Sequence, residues 1–247
     1  MGGERISSFM CPVCGYRGAF IDRNAVTGLR KHAQCGRCGA LERHRIQYLV
    51  MRTLAQRVHF GRMEMLHIAP EPFFRDRFRH QVQRYLSVDL HMAGVDCRAD
   101  VRKMPFADAS WDCVYASHVL EHVADDREAI GEIRRVLRPG GFAVLPVPIV
   151  AARTIEYPEP NPHEWNHVRA PGPDYIDRYR LFFDEVEVFD SAQFDGKYQV
   201  FVYEDRSRWP TEEIPLRLPM PGRKHVDLVP VCMVHGAVLP SRPRTRS

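Results

Sequence analysis

The chain has 247 residues, which is long enough for one medium-sized domain and a small additional unit. Hydrophobic residues make up 45% and charged residues 27%, as is ordinary for a soluble enzyme, and the formal net charge is +4. No apolar run approaches the roughly 20 residues that a membrane span needs, and the opening MGGERISS has neither an apolar signal core nor a myristoylation pattern. These features exclude a membrane partner, and we predict a cytoplasmic protein.

The first 62 residues are strongly basic and contain two matched cysteine pairs. Lys and Arg number eleven there against three acidic residues, so this segment carries +8 and the remainder carries −4. The motifs CPVC and CGRC are separated by twenty residues, and a glycine follows each of them. Four thiolates at this spacing are typical of a structural zinc site, whereas merely buried cysteines and a redox pair are weaker interpretations. The predicted zinc ligands are Cys11, Cys14, Cys35 and Cys38.

A helix is predicted from Leu41 to about Arg57, and the main domain then begins with a strand. Met65–Ala69 is an apolar run typical of a buried strand, and Pro70-Glu71-Pro72 starts the loop to a helix from about Phe73 to Gln83. Tyr85–Asp89 is predicted to be the second strand, with its aspartate at the carboxyl end.

The segment from residue 113 to residue 145 predicts a βαβ unit. Cys113–Ala116 is a short run of strand formers, and Asp125 and Asp126 provide carboxylates for the start of a helix. The helix is predicted to stop at Pro139-Gly140-Gly141, and Phe142–Leu145 begins another buried strand. Such a unit implies a parallel sheet with a right-handed crossover.

The remaining chain is rich in proline. Between Val147 and Asp174 the five prolines from Pro158 to Pro173 are expected to prevent regular structure, and this insertion is predicted to form a substrate wall at the carboxyl edge of the sheet. A helix should start at Pro173, and Val186–Phe189 and Tyr198–Tyr203 are predicted to complete the sheet. Beyond Arg206 the pattern is weak. Residues 226–234 form either one more strand or a segment along the body, and residues 240–247 are expected to be disordered.

Four sequence blocks, in this order, resemble the second half of a class I S-adenosylmethionine (SAM) methyltransferase of the broad type 11 group. They are Met104–Phe106, Ser110–Asp112, Val119–Val123 and Arg135–Gly141. The resemblance covers about residues 65–205.

The resemblance implies an α/β fold with a Rossmann-like seven-stranded sheet whose last strand is antiparallel, preceded here by the small zinc ribbon. We accordingly divide the chain into the ribbon with its linking helix (1–62), a methyltransferase domain (63–206, with the 147–174 insertion) and a proline-rich extension (207–247).

The resemblance also implies where SAM would bind, although the loop after the first strand departs from the family. The family has an acidic residue and three glycines there, whereas this chain has His67 at the acidic position and Ala69, Glu71 and Phe73 at the glycine positions. Glycine permits positive φ and close approach of a ligand, so this loop must bind SAM in another way or bind it weakly. The predicted SAM-binding residues are His67, Ala69, Pro70, Glu71, Asp89, Asp100, Val101 and Ser117.

Two of these residues have specific implied roles. Asp89 stands where the family has the acid that accepts hydrogen bonds from the ribose hydroxyls. Asp100, followed by Val101, resembles the residue that accepts from the adenine amino group. The alternatives are a surface acid at a strand end for the first and a turn or N-cap aspartate for the second.

The turn after Ala116 contains His118, Glu121 and His122, whose spacing places their side chains on one face of a helical turn. This segment is similar to metal-dependent O-methyltransferases, which have Glu-x-x-Glu-His here and a further histidine downstream, for which His167 is the candidate. The similarity implies a divalent cation, Mg²⁺ or Mn²⁺, at the first three residues. The alternative is a Glu-His pair that packs and forms hydrogen bonds without a metal. The predicted catalytic residues are His118, Glu121, His122 and His167.

From these observations we predict a SAM-dependent methyltransferase that methylates a hydroxyl of a small metabolite, such as a sugar. One alternative is an RNA methyltransferase, because the ribbon is basic and has the aromatic residues Phe9, Tyr16 and Phe20. Another is a non-catalytic interaction module on the same fold. We favour the ribbon as a clip that closes the active site or packs a homodimer.

Overall fold

The computed structural model describes residues 8–236. The expectations for the first seven residues and for a disordered end over residues 240–247 therefore lie outside the described part of the chain. Among residues 8–236, no helix is both long and apolar enough to cross a membrane.

The N-terminal region consists of two antiparallel hairpins followed by a helix. Each cysteine motif ends at a glycine, Gly15 or Gly39, with φ of 74°, and the glycine amide donates to the carbonyl of the first cysteine at 2.9 Å and 3.0 Å, respectively. This left-handed backbone conformation is one that glycine adopts without strain. The elements are β1 (Phe9–Met10), β2 (Arg17–Gly18), β3 (Ile21–Ala25), β4 (Gly28–Gln34) and α1 (Glu42–Leu54).

Arg45 of α1 joins the hairpins to the body of the protein. Its side chain is fully buried, and its Nη1 atom donates to the carbonyls of Ala33 and Ala40 at 2.9 Å and 2.7 Å. Its Nε and Nη2 atoms donate to the carbonyl of Gln199, and the guanidinium lies 4.4 Å from the centroid of the Phe20 ring. A buried guanidinium is tolerated because its donors are satisfied in this way.

The main domain is a seven-stranded sheet with helices on both faces. The strand order is β12-β14-β9-β8-β5-β6-β7; neighbouring strands from β9 to β7 are parallel, and β14 is antiparallel to both of its neighbours. This arrangement confirms the predicted Rossmann-like seven-stranded fold. The elements are β5 (Glu64–Ile68), α2 (Pro72–Arg79), β6 (Arg84–Asp89), β7 (Cys97–Arg98), β8 (Trp111–Ala116), α3 (Asp126–Val136), β9 (Leu137–Val144), β10 (Ile155–Asn161), β11 (His167–Ala170), α4 (Ile176–Arg180), β12 (Glu185–Asp190), β13 (Tyr203–Glu204) and β14 (Leu228–Met233).

Alternate residues of the central strands enter two separate cores. Leu66 and Val114 face α3 and α4, whereas Met65 and Cys113 face α1 and α2. Both faces of these strands are buried, as expected for parallel strands covered by helices, and the sequence accordingly shows continuous apolar runs.

The seventh strand does not come from the predicted segment. Tyr198–Tyr203 was expected to complete the sheet, and this prediction is wrong, because Gln199 has φ of 46° and only β13 at its end is a strand, paired with β4. β14 lies between β12 and β9 and completes the sheet instead. Its residues Val229 and Val231 are buried in one core and Cys232 in the other, which a strand between two neighbours requires.

The insertion and the ends of two helices also differ from the sequence prediction. The insertion is not irregular: β10 and β11 form an antiparallel pair whose register shifts between Glu156 and Asn161, and this irregular stretch holds Pro158 and Pro160. α2 ends at Arg79, four residues early. α3 ends at Val136, and the following Leu137 already pairs with Trp111, so the Pro-Gly-Gly motif forms a bulge inside β9 rather than a helix stop.

Candidate active site

A cleft of about 580 Å³ lies at the carboxyl ends of the parallel strands, where ligands bind in folds of this type. We call it the edge cleft. It is lined by residues that follow β5, β6 and β7 and by the turn after β8. Among the predicted SAM-binding residues, the structure places Ala69, Asp89, Asp100 and Val101 on its wall.

The loop after β5 retains one feature of a glycine-rich loop. Ala69 has φ of 48°, and its amide donates to the carbonyl of Val88 at 2.8 Å. The alanine at a glycine position therefore adopts the left-handed conformation that glycine favours, at some cost in strain.

His67 does not reach the edge cleft. It is 1% exposed, and its Nδ1 atom lies 2.8 Å from the hydroxyl of Tyr85. Burial lowers its pKa to about 3, so the ring is neutral at physiological pH. The structure therefore assigns this residue to the core, on the side of α2, and not to the ligand wall.

Pro70 and Glu71 are also absent from the cleft wall within the described residues. The Glu71 carboxylate turns toward α1, where Oε1 accepts from Arg43 Nη2 at 2.5 Å and lies 3.2 Å from His44 Nε2. Burial alone would raise the pKa of Glu71, but these two neighbours hold it well below its usual range. The carboxylate therefore fixes the loop rather than facing the cleft.

The two aspartates of the edge cleft are both partly used by the protein itself. Asp89 Oδ1 accepts from the amides of His91 and Met92 at 2.7 Å each. Asp100 pairs with Arg102, with 2.6 Å between Oδ2 and Nη2, and the hydrogen bonds from that residue lower the pKa of Asp100. Asp100 thus has the turn role given as its alternative, and it also lines the cleft.

Ser117 is buried behind the cleft. It is 4% exposed, and its hydroxyl donates to Gln47 Oε1 of α1 at 3.2 Å. Tyr115 donates to the same oxygen. Ser117 is therefore tied to the helix that follows the cysteine hairpins.

Three of the four predicted catalytic residues meet at one point. Ligand atoms of Glu121, His122 and His167 all lie within 4.8 Å of one another, and the two imidazole rings are perpendicular with centroids 4.6 Å apart. His118 lies outside this group but next to it, with Nδ1 3.4 Å from Glu121 Oε1. The downstream histidine, from β11 of the insertion, thus replaces His118 in the set.

The electrostatics of this cluster are unusual. Glu121 is fully buried, and neither carboxylate oxygen has a hydrogen-bond partner among the described residues. Burial would raise the pKa of Glu121, but the three surrounding histidines lower it, so the group stays ionised. Burial lowers the pKa of His167 to about 4, so its imidazole is neutral and can offer a lone pair.

A second cavity, of about 290 Å³, lies on the other side of the histidine cluster. We call it the inner cavity. His118 and His122 line both cavities, so the two meet at the cluster. The walls of the inner cavity come from the β3–β4 hairpin, α1, the insertion and the C-terminal extension.

Sequence reasoning missed the charged lining of the inner cavity, because these residues come from segments far apart in the chain. Each of its four arginines is paired with a carboxylate; the pairs are Arg30 with Glu42, Arg43 with Glu71, Arg206 with Glu204 and Arg217 with Glu164. Asp227 also lines the cavity, has no ion pair within residues 8–236, and has a pKa raised by burial.

The four cysteines of the hairpins also form a cluster. All four sulfur atoms lie within 4.8 Å of one another, with 3.7 Å between Cys11 and Cys38 and 3.8 Å between Cys14 and Cys35. A tetrahedron with zinc–sulfur bonds of about 2.3 Å has sulfur–sulfur edges of about 3.8 Å. The cluster therefore fits a tetrahedral zinc ion.

Comparison with known proteins supports the fold. Residues 50–145 match the family described as a methyltransferase domain. The demethylmenaquinone methyltransferase of Thermus thermophilus is 29% identical over 105 residues, which cover 42% of this chain and 39% of that protein. The O-methyltransferase cnsE of Penicillium expansum is 47% identical over 47 residues, covering 19% of this chain and 17% of that protein.

A solved N-methyltransferase from Haemonchus contortus, in complex with S-adenosylhomocysteine, superimposes with a TM-score of 0.51 at 15% identity, covering 76% of this chain and 53% of that chain. The segments that match the Thermus and Penicillium proteins span well under half of the length of those two curated relatives. The predicted resemblance to SAM-dependent methyltransferases is confirmed for the sheet and its matched segment.

Proposed function

We propose that this protein is a SAM-dependent methyltransferase that methylates a hydroxyl group of a small molecule. The observation that carries the proposal is the meeting of the two cavities at His118 and His122. One cavity is the cleft at which this fold binds its cofactor, and the other offers room for an acceptor directly beside a histidine and carboxylate cluster.

SAM is assigned to the edge cleft. Asp89 would accept from the ribose hydroxyls through the oxygen that the loop amides leave free, and the backbone beside Val101 would meet the adenine. When bound, SAM supplies a methyl group on a positively charged sulfur. Because the transfer is an in-line displacement, the protein must align the acceptor oxygen and take up its proton.

The histidine cluster is suited to that proton transfer. His167 is neutral at pH 7 because burial lowers its pKa to about 4, and its Nδ1 atom has no hydrogen-bond partner among residues 8–236. His122 is more exposed and borders both cavities. An acceptor hydroxyl in the inner cavity could therefore pass its proton to one of these imidazoles as the oxygen attacks.

The same residues could hold a divalent cation. The Glu121 carboxylate is fully buried without a hydrogen bond among the described residues, so both oxygens are available to a cation, and two imidazoles complete the set. One carboxylate and two imidazoles favour Mn²⁺ or another transition metal over Mg²⁺, which prefers oxygen ligands. A cation there would lower the pKa of an acceptor hydroxyl.

A structural zinc is proposed for the cysteine cluster, because the sulfur–sulfur distances match a zinc tetrahedron. Four protein ligands leave no open position for catalysis. The hairpin that carries part of this site also lines the inner cavity through Ala25 and Thr27, which supports the role of the ribbon as a clip over the acceptor.

RNA is the second candidate acceptor. Arg17, Arg23, Lys31 and Arg37 are exposed on the ribbon and could contact phosphates. The inner cavity, however, has a volume of only about 290 Å³ and is bordered by several segments, which favours a small acceptor.

The test has two steps. Calorimetry with S-adenosylhomocysteine should show binding to the wild-type protein, and its absence at millimolar ligand would favour the non-catalytic alternative. Transfer of a radiolabelled methyl group from SAM should then be measured with Mn²⁺ on simple catechols and sugars, and in parallel on total RNA. Label entering only RNA, in a reaction that weakens steeply with salt, would reject the small-molecule acceptor.

A further inference from the structure

The loop that replaces the glycine-rich motif is held from outside by α1. Glu71 at the start of α2 accepts from Arg43 at 2.5 Å and lies 3.2 Å from His44 Nε2. The His44 ring also stacks on Phe73, with centroids 4.4 Å apart and an interplanar angle of 14°. Arg43 and His44, which are consecutive in α1, therefore contact Glu71 in the loop and Phe73 in the helix that follows it.

The contact between His44 and Glu71 is connected to the cysteine cluster. The His44 Nδ1 atom accepts from the amide of Leu41 at 3.2 Å, so its Nε2 atom carries the proton and donates it to Glu71. Leu41 follows Ala40, whose carbonyl accepts from the amide of Cys35 at 2.9 Å. Hydrogen bonds and one peptide link thus connect the second cysteine motif to the loop after β5.

One turn further along α1, Gln47 holds the second loop of the edge cleft. Its Oε1 atom accepts from Ser117 Oγ at 3.2 Å and from the hydroxyl of Tyr115 at the end of β8. The same helix is joined to the cysteine hairpins by the buried Arg45. α1 therefore contacts the loops after β5 and β8, and both loops border the edge cleft.

We propose that the zinc-bound ribbon and α1 hold the SAM-binding loop in its binding conformation, with Arg43 and His44 as positioning residues, so that zinc occupancy raises the affinity for SAM. This inference rests on the proposed function. Ala69 in this loop has φ of 48°, a left-handed conformation that strains an alanine, so contacts from outside the loop must keep its backbone in place before the ligand arrives. By linkage, bound ligand must in turn strengthen zinc retention by the same factor.

The first experiment measures S-adenosylhomocysteine affinity by calorimetry on the zinc-loaded full chain. Glu71→Gln removes the negative charge that Arg43 and His44 contact. His44→Phe keeps the stacking on Phe73 but removes the Nε2 hydrogen-bond donor to Glu71. We expect each variant to bind about tenfold more weakly. Glu187→Gln breaks a more exposed ion pair, with Arg57 just beyond α1, and should leave affinity unchanged. His44 lines neither cavity, so its effect cannot arise from ligand contact.

The main comparison of the second experiment is the wild-type protein with and without ligand, which does not depend on the folding of any variant. In equilibrium competition with a chromogenic chelator, the zinc Kd should fall about tenfold when S-adenosylhomocysteine is saturating, and Glu71→Gln should abolish most of this change. If the wild type binds S-adenosylhomocysteine and both Glu71→Gln and His44→Phe bind it equally well, this inference alone is overturned. The same holds if the ligand does not affect zinc retention. No binding by the wild type would overturn the proposed function, and the inference with it.

Discussion

Replacing Arg45 with Met tests how the ribbon is attached to the rest of the protein. The guanidinium donates to the carbonyls of Ala33 and Ala40 within the ribbon and to that of Gln199 in the main domain. Methionine fills much of the same volume but leaves the buried carbonyls of Ala33 and Gln199 without this donor, while the carbonyl of Ala40 keeps its bond from the Cys35 amide. With a cost of about 1–3 kcal/mol for each unsatisfied buried group, and some relief from water, we expect a loss of about 4 kcal/mol.

The measurement is urea unfolding of the zinc-loaded protein, followed by circular dichroism and by zinc release, because the ribbon should detach before the sheet unfolds. Arg57→Met is the matched control, since its exposed pair with Glu187 is solvated and its removal should not change stability measurably. If Arg45→Met unfolds within about 1 kcal/mol of the wild type, the buried hydrogen bonds do not hold the ribbon, and the reasoning fails.

Three further predictions concern the clusters and one core histidine. His122→Ala and His167→Ala should each reduce methyl transfer about a hundredfold while S-adenosylhomocysteine affinity stays the same; activity that survives both changes and EDTA removes the cluster from the mechanism. Cys35→Ser should abolish the single tightly bound zinc in elemental analysis, and full retention would refute the assignment. Burial lowers the pKa of His67 to about 3, so the folded state resists a proton that the unfolded state binds below about pH 6.5, and this residue alone should lower stability by about 1.4 kcal/mol per pH unit from about pH 6 to about pH 4. His44 and His167 also have lowered pKa values and add to the slope, so His67→Gln should reduce the slope by this share; an unchanged slope contradicts the burial argument.

Local sequence signals were sufficient for the parallel part of the sheet. The apolar run of β8, the carboxylates before α3 and the cysteine spacing each depend on neighbours in the chain, and the structure follows them. The choice of β14 over Tyr198–Tyr203 depends on long-range pairing, because both segments are apolar and β-branched. Only burial on two faces separates them, and sequence periodicity does not report it.

The candidate site, like the fold, was predicted only in part from the sequence. Glu121 and His122 were found from their spacing in the turn, and His167 from the similarity to metal-dependent O-methyltransferases, which have a further histidine downstream. Asp227 and the paired arginines of the inner cavity were not found, since they come from the extension and the ribbon, and no spacing rule connects these segments. His67 was misassigned because its position in the loop motif was considered without the packing of Phe78 and Tyr115 around it.

The addition of β13 to β4 and the bonds from Arg45 to the 198–199 turn have a consequence for synthesis. Arg45 and Gln199 are 154 residues apart, so the ribbon leaves the ribosome long before its partners exist. At about 5–20 residues per second the delay is on the order of ten to thirty seconds. During that time the ribbon lacks the contacts of Arg45 with Gln199 and of β4 with β13. Zinc availability in this interval should therefore influence how much chain matures, and zinc supplied after translation should rescue less protein than zinc supplied during it.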